Sequence, residues 1–276
     1  MLKKPDPILV TTLFPEILEE LILLLKSLSV SDWTEPTACS GWSVKDVALH
    51  LLGIEIGNLS NRRDGFSDNN HIENWEQLVI IVNNWNQKWV QATRRMSTRL
   101  LIDLIGLVGP QMCDYFSKLD PFEIGGAISW IGPEPLPVWL DLAREYTERW
   151  HHQQHIRDAV NKPGLKQPKF FSPVLNTFMW ALPKTYHGVI ADEGTSITVK
   201  IEGQSGGHWS LIKEGEKWLF FKGAVAHPDS EIILDQEIAW RLFTRGLKKE
   251  QMGNVVRIIG NQHLGKSIHH MVSIIG

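Results

Sequence analysis

The hydrophobic period changes once along this chain of 276 residues. Up to about residue 164, apolar residues recur three and four apart, the spacing of a helix face. Beyond it they alternate, the spacing of a strand. That order predicts an α+β protein in two parts. The expected division is a helical domain over 1–164 and a smaller α+β domain over 165–276.

Each helix has a start signal. Pro15 opens Pro15–Ser29, where Ile17, Leu18, Leu21, Leu24, Leu25 and Leu28 give a broad apolar face. Proline suits a first helical turn, whose N–H groups have no partner in the helix. Ser43-Val44-Lys45-Asp46 is a capping box ahead of Val47, Leu51 and Ile54. Asn61–Asn70 is polar and reads as a loop. A long helix follows from about Ile72 to Met96, with Trp75, Leu78, Val82, Trp85 and Trp89 on one stripe. Thr98–Lys118 is a weaker helix, Asp120–Pro137 a Gly- and Pro-rich loop, and Val138–Asn161 the last helix, stopped by Lys162-Pro163-Gly164. Four long amphipathic helices predict a four-helix bundle, which commonly places metal ligands between facing helices.

The second half begins with a short helix from Ser172-Pro173 to about Leu182. Ser196–Ile201, His208–Lys213 and Lys217–Lys222 then alternate, with Gly203–Gly207 as a hairpin turn. Ile232–Leu234 and Val255–Ile259 complete an expected antiparallel sheet, with helices at Gln236–Thr244 and Asn261–Ser273.

Composition removes several function classes. Apolar residues make up 43% and charged residues 21%, enough to build a core, so the chain is not disordered. A net charge of -3 gives no basic excess to neutralise phosphates, which argues against nucleic acid as a partner. No apolar run approaches the roughly 20 residues a bilayer needs, and no secretory pattern follows the N-terminal charges. Two cysteines, Cys39 and Cys113, make no disulfide framework and fit a reducing cytoplasm.

The most informative segment is Glu145–Asp158. With Glu148 as reference on a helical wheel, His152 lies about 40° to one side and His155 about 20° to the other, with His151 about 60° away. Glu148, His152 and His155 thus share a face. A carboxylate and an imidazole four apart can hold one divalent cation, and zinc accepts both ligand types. A Glu-x-x-x-His stripe alone also fits a solvated helix face. A third ligand would decide, and His50, on the apolar side of the second helix, is the candidate; alone there it also fits a hydrogen-bonded core histidine.

The segment Thr37-Ala38-Cys39-Ser40-Gly41-Trp42-Ser43-Val44-Lys45-Asp46-Val47-Ala48-Leu49-His50-Leu51 resembles a signature of the mycothiol-dependent maleylpyruvate isomerase family, within the DinB-like metal-binding superfamily. Glu148 to Ala159 is similar to that family's second signature. Softer similarity runs through Trp209–Gly223, Ala239–Leu242 and Val256–Asn261, to a C-terminal domain resembling a sterol-carrier fold. The resemblance implies a DinB-like bundle with His50, Glu148 and His152 as metal ligands. It also implies a low-molecular-weight thiol, mycothiol or an analogue, as cosubstrate of a metal-dependent isomerase or transferase acting on a small electrophile. A non-catalytic metal-binding or small-ligand-binding protein on the same scaffold is the alternative. His155 departs from the family, where many members carry Asp. The doublet His151-His152 leaves His151 and His155 as substitute ligands or outer partners.

Other residues carry weaker expectations. Arg94, Arg241, Arg245 and Arg257 could form a fork for a dicarboxylate substrate, but arginine is mostly a surface charge. Cys39 precedes a helix N-terminus, which would lower its pKa, yet the sequence shows no base beside it; a packing role is expected. Trp42, Trp75, Trp85, Trp89 and Trp150 are expected in the core or a pocket wall.

Overall fold

Local sequence sets the helices of the first half. The computed structural model describes residues 2–66, 75–247 and 255–273. Helix α1 (Phe14–Lys26) has Pro15 in its first turn. Helix α2 (Val44–Asn58) begins at the expected capping box. Ser43 Oγ accepts the Asp46 N–H at 3.3 Å, and the Asp46 carboxylate accepts the Ser43 N–H at 3.0 Å. Arg94 donates to both oxygens of Asp46, at 2.9 and 3.1 Å, so the cap also carries an ion pair. Past Asn58 the chain runs on as a π-helical turn, Leu59–Arg63, whose last three residues fall where a loop from Asn61 was expected. Leu59 is buried and prolongs the apolar side of α2.

Helices α3 (Trp75–Thr93), α4 (Thr98–Ser117) and α5 (Val138–Ala159) complete this half, and Ser97 caps α4. The expected start of the third helix at Ile72 and the side chain of Trp75 lie outside the described residues. The expected loop before α5 contains a short antiparallel ribbon, β1 (Ile124–Ala127) and β2 (Pro135–Pro137). Glycines and prolines hide strand propensity there, and the ribbon is mostly exposed, so no apolar alternation marks it.

The chain divides into two compact units. The helical unit is Leu9–Pro121 with Glu145–Leu165. Its core joins Leu21, Leu24 and Leu25 to Val47, Ala48, Leu51 and Leu52, and to Leu101, Ile105 and Ile156. Helices pack closely where glycine permits it. A Cβ on Gly53 would lie 2.6 Å from Trp89 Nε1, and that indole donates to Leu49 O at 2.7 Å. Trp89 therefore lies flat against α2, directly beside the turn that carries His50.

The other unit is Met1–Ile8, Phe122–Arg144 and Lys166–Gly276. Strands β3 (Ser196–Glu202), β4 (Gly207–Glu214), β5 (Lys217–Lys222), β6 (Ser230–Asp235) and β7 (Arg257–Gly260) form one sheet in the order β5-β4-β3-β6-β7. The sheet is mixed, not wholly antiparallel, because β6 runs parallel to β3. Alternation fixes which face a residue takes but not strand direction. Helix α6 (Pro168–Phe178) starts four residues before the expected Ser172, with Pro168 as its first-turn proline. Short helices α7 (Leu182–Tyr186), α8 (Gln236–Phe243) and α9 (Gln262–Lys266) follow, and a 3-10 turn, Ser267–His270, ends the last expected helix. Phe171, Phe178, Trp209, Ile232, Trp240 and Phe243 are all buried within this unit.

The fold is thus mixed α+β, with a helical N-terminal part and a sheet-containing C-terminal part. Among the described residues, no helix is long and apolar enough to cross a membrane.

Candidate metal centre

Three segments of the helical unit bring chemistry together. The first is a tight turn before α2. Pro36 and Ser43 form a β-bridge, Thr37 N–H donates to Trp42 O, and Trp42 N–H closes on Cys39 O at 3.0 Å. Gly41 has φ 77°, the left-handed conformation a turn of this kind needs at its third position. The turn fixes Cys39 and sets the Trp42 ring 5.1 Å from that of His50.

The second and third segments are α2, carrying His50, and α5, carrying Glu148, His151, His152 and His155. His50, His151, His152 and His155 are all buried. The Nε2 atoms of His50 and His152 lie 3.2 Å apart. Glu148 Oε2 lies 3.6 Å from the same His152 nitrogen. Among the described residues, two triads have ligand atoms within 4.8 Å of one another: Glu148, His151 and His152, and Cys39, His152 and His155. Neither contains His50, which meets the cluster through His152.

These spacings fit a divalent ion. Ligands about 2.0–2.1 Å from a tetrahedral zinc are roughly 3.3 Å from each other, close to the two separations at His152 Nε2. Protonation fits as well. Burial, reinforced by His155, pushes His50 down to about 4. Burial and the neighbouring imidazoles hold His151 and His152 well below the usual histidine range. At neutral pH these rings are uncharged, so each keeps the lone pair a metal requires.

Cys39 differs from its sequence reading. Burial, with Glu148 adding to it, pushes its thiol up to about 11, against the expected helix-terminus lowering. It also has an imidazole partner: Sγ lies 3.0 Å from His155 Nδ1 and 4.0 Å from His152 Nδ1. No sequence signal pointed to this pair, because its members are 116 positions apart and Cys39 sits in an irregular turn.

The model of the mycothiol maleylpyruvate isomerase N-terminal domain matches residues 14–157, more than half of the chain. The chain belongs to that family. Two crystal structures of the mycothiol-dependent maleylpyruvate isomerase, one of a histidine-to-alanine variant, are similar to it with TM-scores of 0.50 at 11% identity. Each similarity covers 90% of this chain and 90% of the other. At that identity the likeness speaks to the fold. No curated protein matches the chain.

In this member of the mycothiol maleylpyruvate isomerase family, a buried ion network braces the two histidine-bearing helices. Arg149 donates to both oxygens of Glu55 on α2, at 2.8 and 3.0 Å, and to Glu145 Oε2 at 2.8 Å. Asn58 donates to the same Glu145 oxygen at 2.8 Å. Burial alone would push the guanidinium down, but Glu55 and Glu145 outweigh it and hold Arg149 protonated. One turn of α5 thus carries the brace at Arg149 and ligand candidates on either side of it in sequence.

The remaining expectations divide. Arg94 is engaged with Asp46 at the α2 cap, and Arg241 with Glu237. Trp150 is fully buried and donates to Leu165 O at 2.8 Å, while Trp42 and Trp89 are part-buried. Trp85 is 43% exposed, not a core residue.

Proposed function

We propose that this chain is a metal-dependent, low-molecular-weight-thiol-dependent isomerase or transferase acting on a small electrophile. His50, Glu148 and His152 serve as ligands to a divalent ion, zinc by the nature of its donors. The observation that carries the reading is that His152 Nε2 has His50 Nε2 at 3.2 Å from the facing helix and Glu148 Oε2 at 3.6 Å from its own, within a family whose name carries the thiol.

When bound, the ion would favour the thiolate of mycothiol or an analogue, the form able to add reversibly to an activated double bond or to stay attached. The chain's own residues prepare for this. His50 and His152 offer neutral nitrogens, and Glu148 supplies negative charge to offset the ion. Arg149, clamped between Glu55 and Glu145, fixes α2 against α5 so that the two rings converge. The Trp42 ring leans against His50, 5.1 Å away and tilted by 52°, and covers one side of it. A two-histidine, one-carboxylate set leaves coordination positions for water or a thiol.

On this reading the helical residues form a DinB-like four-helix bundle, and residues 165–276 a sterol-carrier-like domain. A cytoplasmic setting fits the two free cysteines, Cys39 and Cys113. The test is turnover of a panel of electrophilic alkenes with mycothiol and other small thiols, beside elemental analysis of the purified protein. Turnover that needs both the thiol and stoichiometric metal supports the enzyme. Bound metal with no turnover across the panel favours a binding protein on the same scaffold.

A further inference from the structure

The two nitrogens of His152 face different partners. Its Nε2 looks toward His50 Nε2 at 3.2 Å and Glu148 Oε2 at 3.6 Å. Its Nδ1 looks toward Cys39 Sγ at 4.0 Å, and Cys39 Sγ in turn lies 3.0 Å from His155 Nδ1. A neutral imidazole has one lone pair and one N–H, on opposite sides of the ring. His152 can therefore ligate an ion on one side only, unless it loses its second proton as well.

The two sides also differ in chemistry. The His50–Glu148 side offers imidazole and carboxylate, which suit harder ions such as Mn2+. The Cys39–His155 side offers a thiol sulfur and imidazole, which suit thiophilic ions such as Cd2+. We propose that Cys39, His155 and His152 Nδ1 form a second ligand set, and that His152 makes the two sets mutually exclusive, so that the softness of the ion selects its position. The inference rests on the proposed metal function, since it takes the His50–Glu148–His152 set as the alternative position.

The exclusivity has a structural logic in each state. With the ion on Nε2, the Nδ1–H of His152 faces the Cys39 sulfur, a weak acceptor. With the ion on Nδ1, the Nε2–H faces Glu148, the carboxylate–histidine–metal arrangement that strengthens an imidazole ligand. Thiophilic binding requires Cys39 to release its thiol proton to solvent, and the ion's charge then stabilises the thiolate. His155 is where this chain departs from the family pattern it resembles, and it is the residue that completes the sulfur-bearing set.

The test uses the metal-stripped full-length chain and two probes, Mn2+ followed by electron paramagnetic resonance and Cd2+ followed by thiolate-to-cadmium ultraviolet absorption. Wild-type protein should bind either ion, with Cd2+ displacing Mn2+ one for one. Cys39→Ser should remove the absorption and weaken Cd2+ by more than ~100-fold, beyond the usual cost of losing an outer partner. It should leave Mn2+ affinity within about threefold, a shift worth less than 1 kcal/mol. Retained Mn2+ binding also reports that the variant is folded. Cys113→Ser should change neither ion. Cd2+ binding without the absorption, equal loss of both ions in Cys39→Ser, or simultaneous binding of Mn2+ and Cd2+ would overturn the inference while leaving the proposed function standing. Failure of wild-type protein to bind Mn2+ would overturn the inference, and failure to bind zinc as well would overturn the proposed function.

Discussion

The Nε2 atoms of His50 and His152 face each other at 3.2 Å across α2 and α5, both on buried, uncharged rings. One nitrogen must donate to the other, or both must offer lone pairs to a shared cation. The second arrangement removes a bond between two like groups and gains two ligand bonds. His50→Ala should therefore abolish tight metal binding. The apolar stripes of α1, α2 and α4 carry the core, so the helical circular dichroism should remain. The proposed centre is wrong if the His50→Ala protein purifies with stoichiometric metal.

Metal-stripped protein should lose stability as the pH falls below neutrality. His50 titrates near 4 when folded and near the ordinary 6.5 when unfolded. Between these values the unfolded chain binds a proton that the folded chain refuses, so stability drops by up to about 1.4 kcal/mol per pH unit from this residue. His151 and His152 act in the same direction. Urea midpoints measured from pH 7.5 to 5 should decline steadily, and less steeply in His50→Ala. An unchanged midpoint across that range would contradict the prediction.

Arg149→Met should be costly. It leaves Glu55 buried without its cation and leaves Glu145 with the longer pair to Arg62 at 3.6 Å, a change worth about 3–5 kcal/mol. Replacing all three residues with apolar side chains of similar size should recover most of that loss, because their charges then need no pairing. Metal affinity should not recover with stability if the brace sets the distance between His50 and His152. Denaturation curves and metal titrations on the two variants would separate these effects.

Gly53→Leu should destabilise the helical unit by about 1–3 kcal/mol, since even its Cβ would lie 2.6 Å from Trp89 Nε1. The displaced indole would lose its bond to Leu49 O, so tryptophan emission should shift together with the unfolding midpoint.

Much of the helical half was legible because its signals are local. The Ser43–Asp46 cap, Pro15 in a first turn, and the places of His50 and Glu148 on their helix faces all follow from spacing over a few residues. The Cys39–His155 contact was not legible, because a turn built around Gly41 carries no period from which a direction can be read. The parallel partner of β3 was hidden for a related reason: the apolar run Ile232–Leu234 reads the same whichever way the strand runs. The grouping of 1–8 and 122–144 with residues after 166 is a property of contacts in space, which no local pattern encodes.

The buried charges of Arg149, Glu55 and Glu145 also bear on heat. Hydration of ions becomes less favourable as temperature rises, so the cost of having dehydrated these three groups shrinks on warming, while apolar burial levels off. The brace between α2 and α5 thus gains relative weight in hot protein. Metal-binding capacity should persist almost to the melting midpoint, with the outer turns of α1 and α4 loosening before the spacing between His50 and His152 is lost.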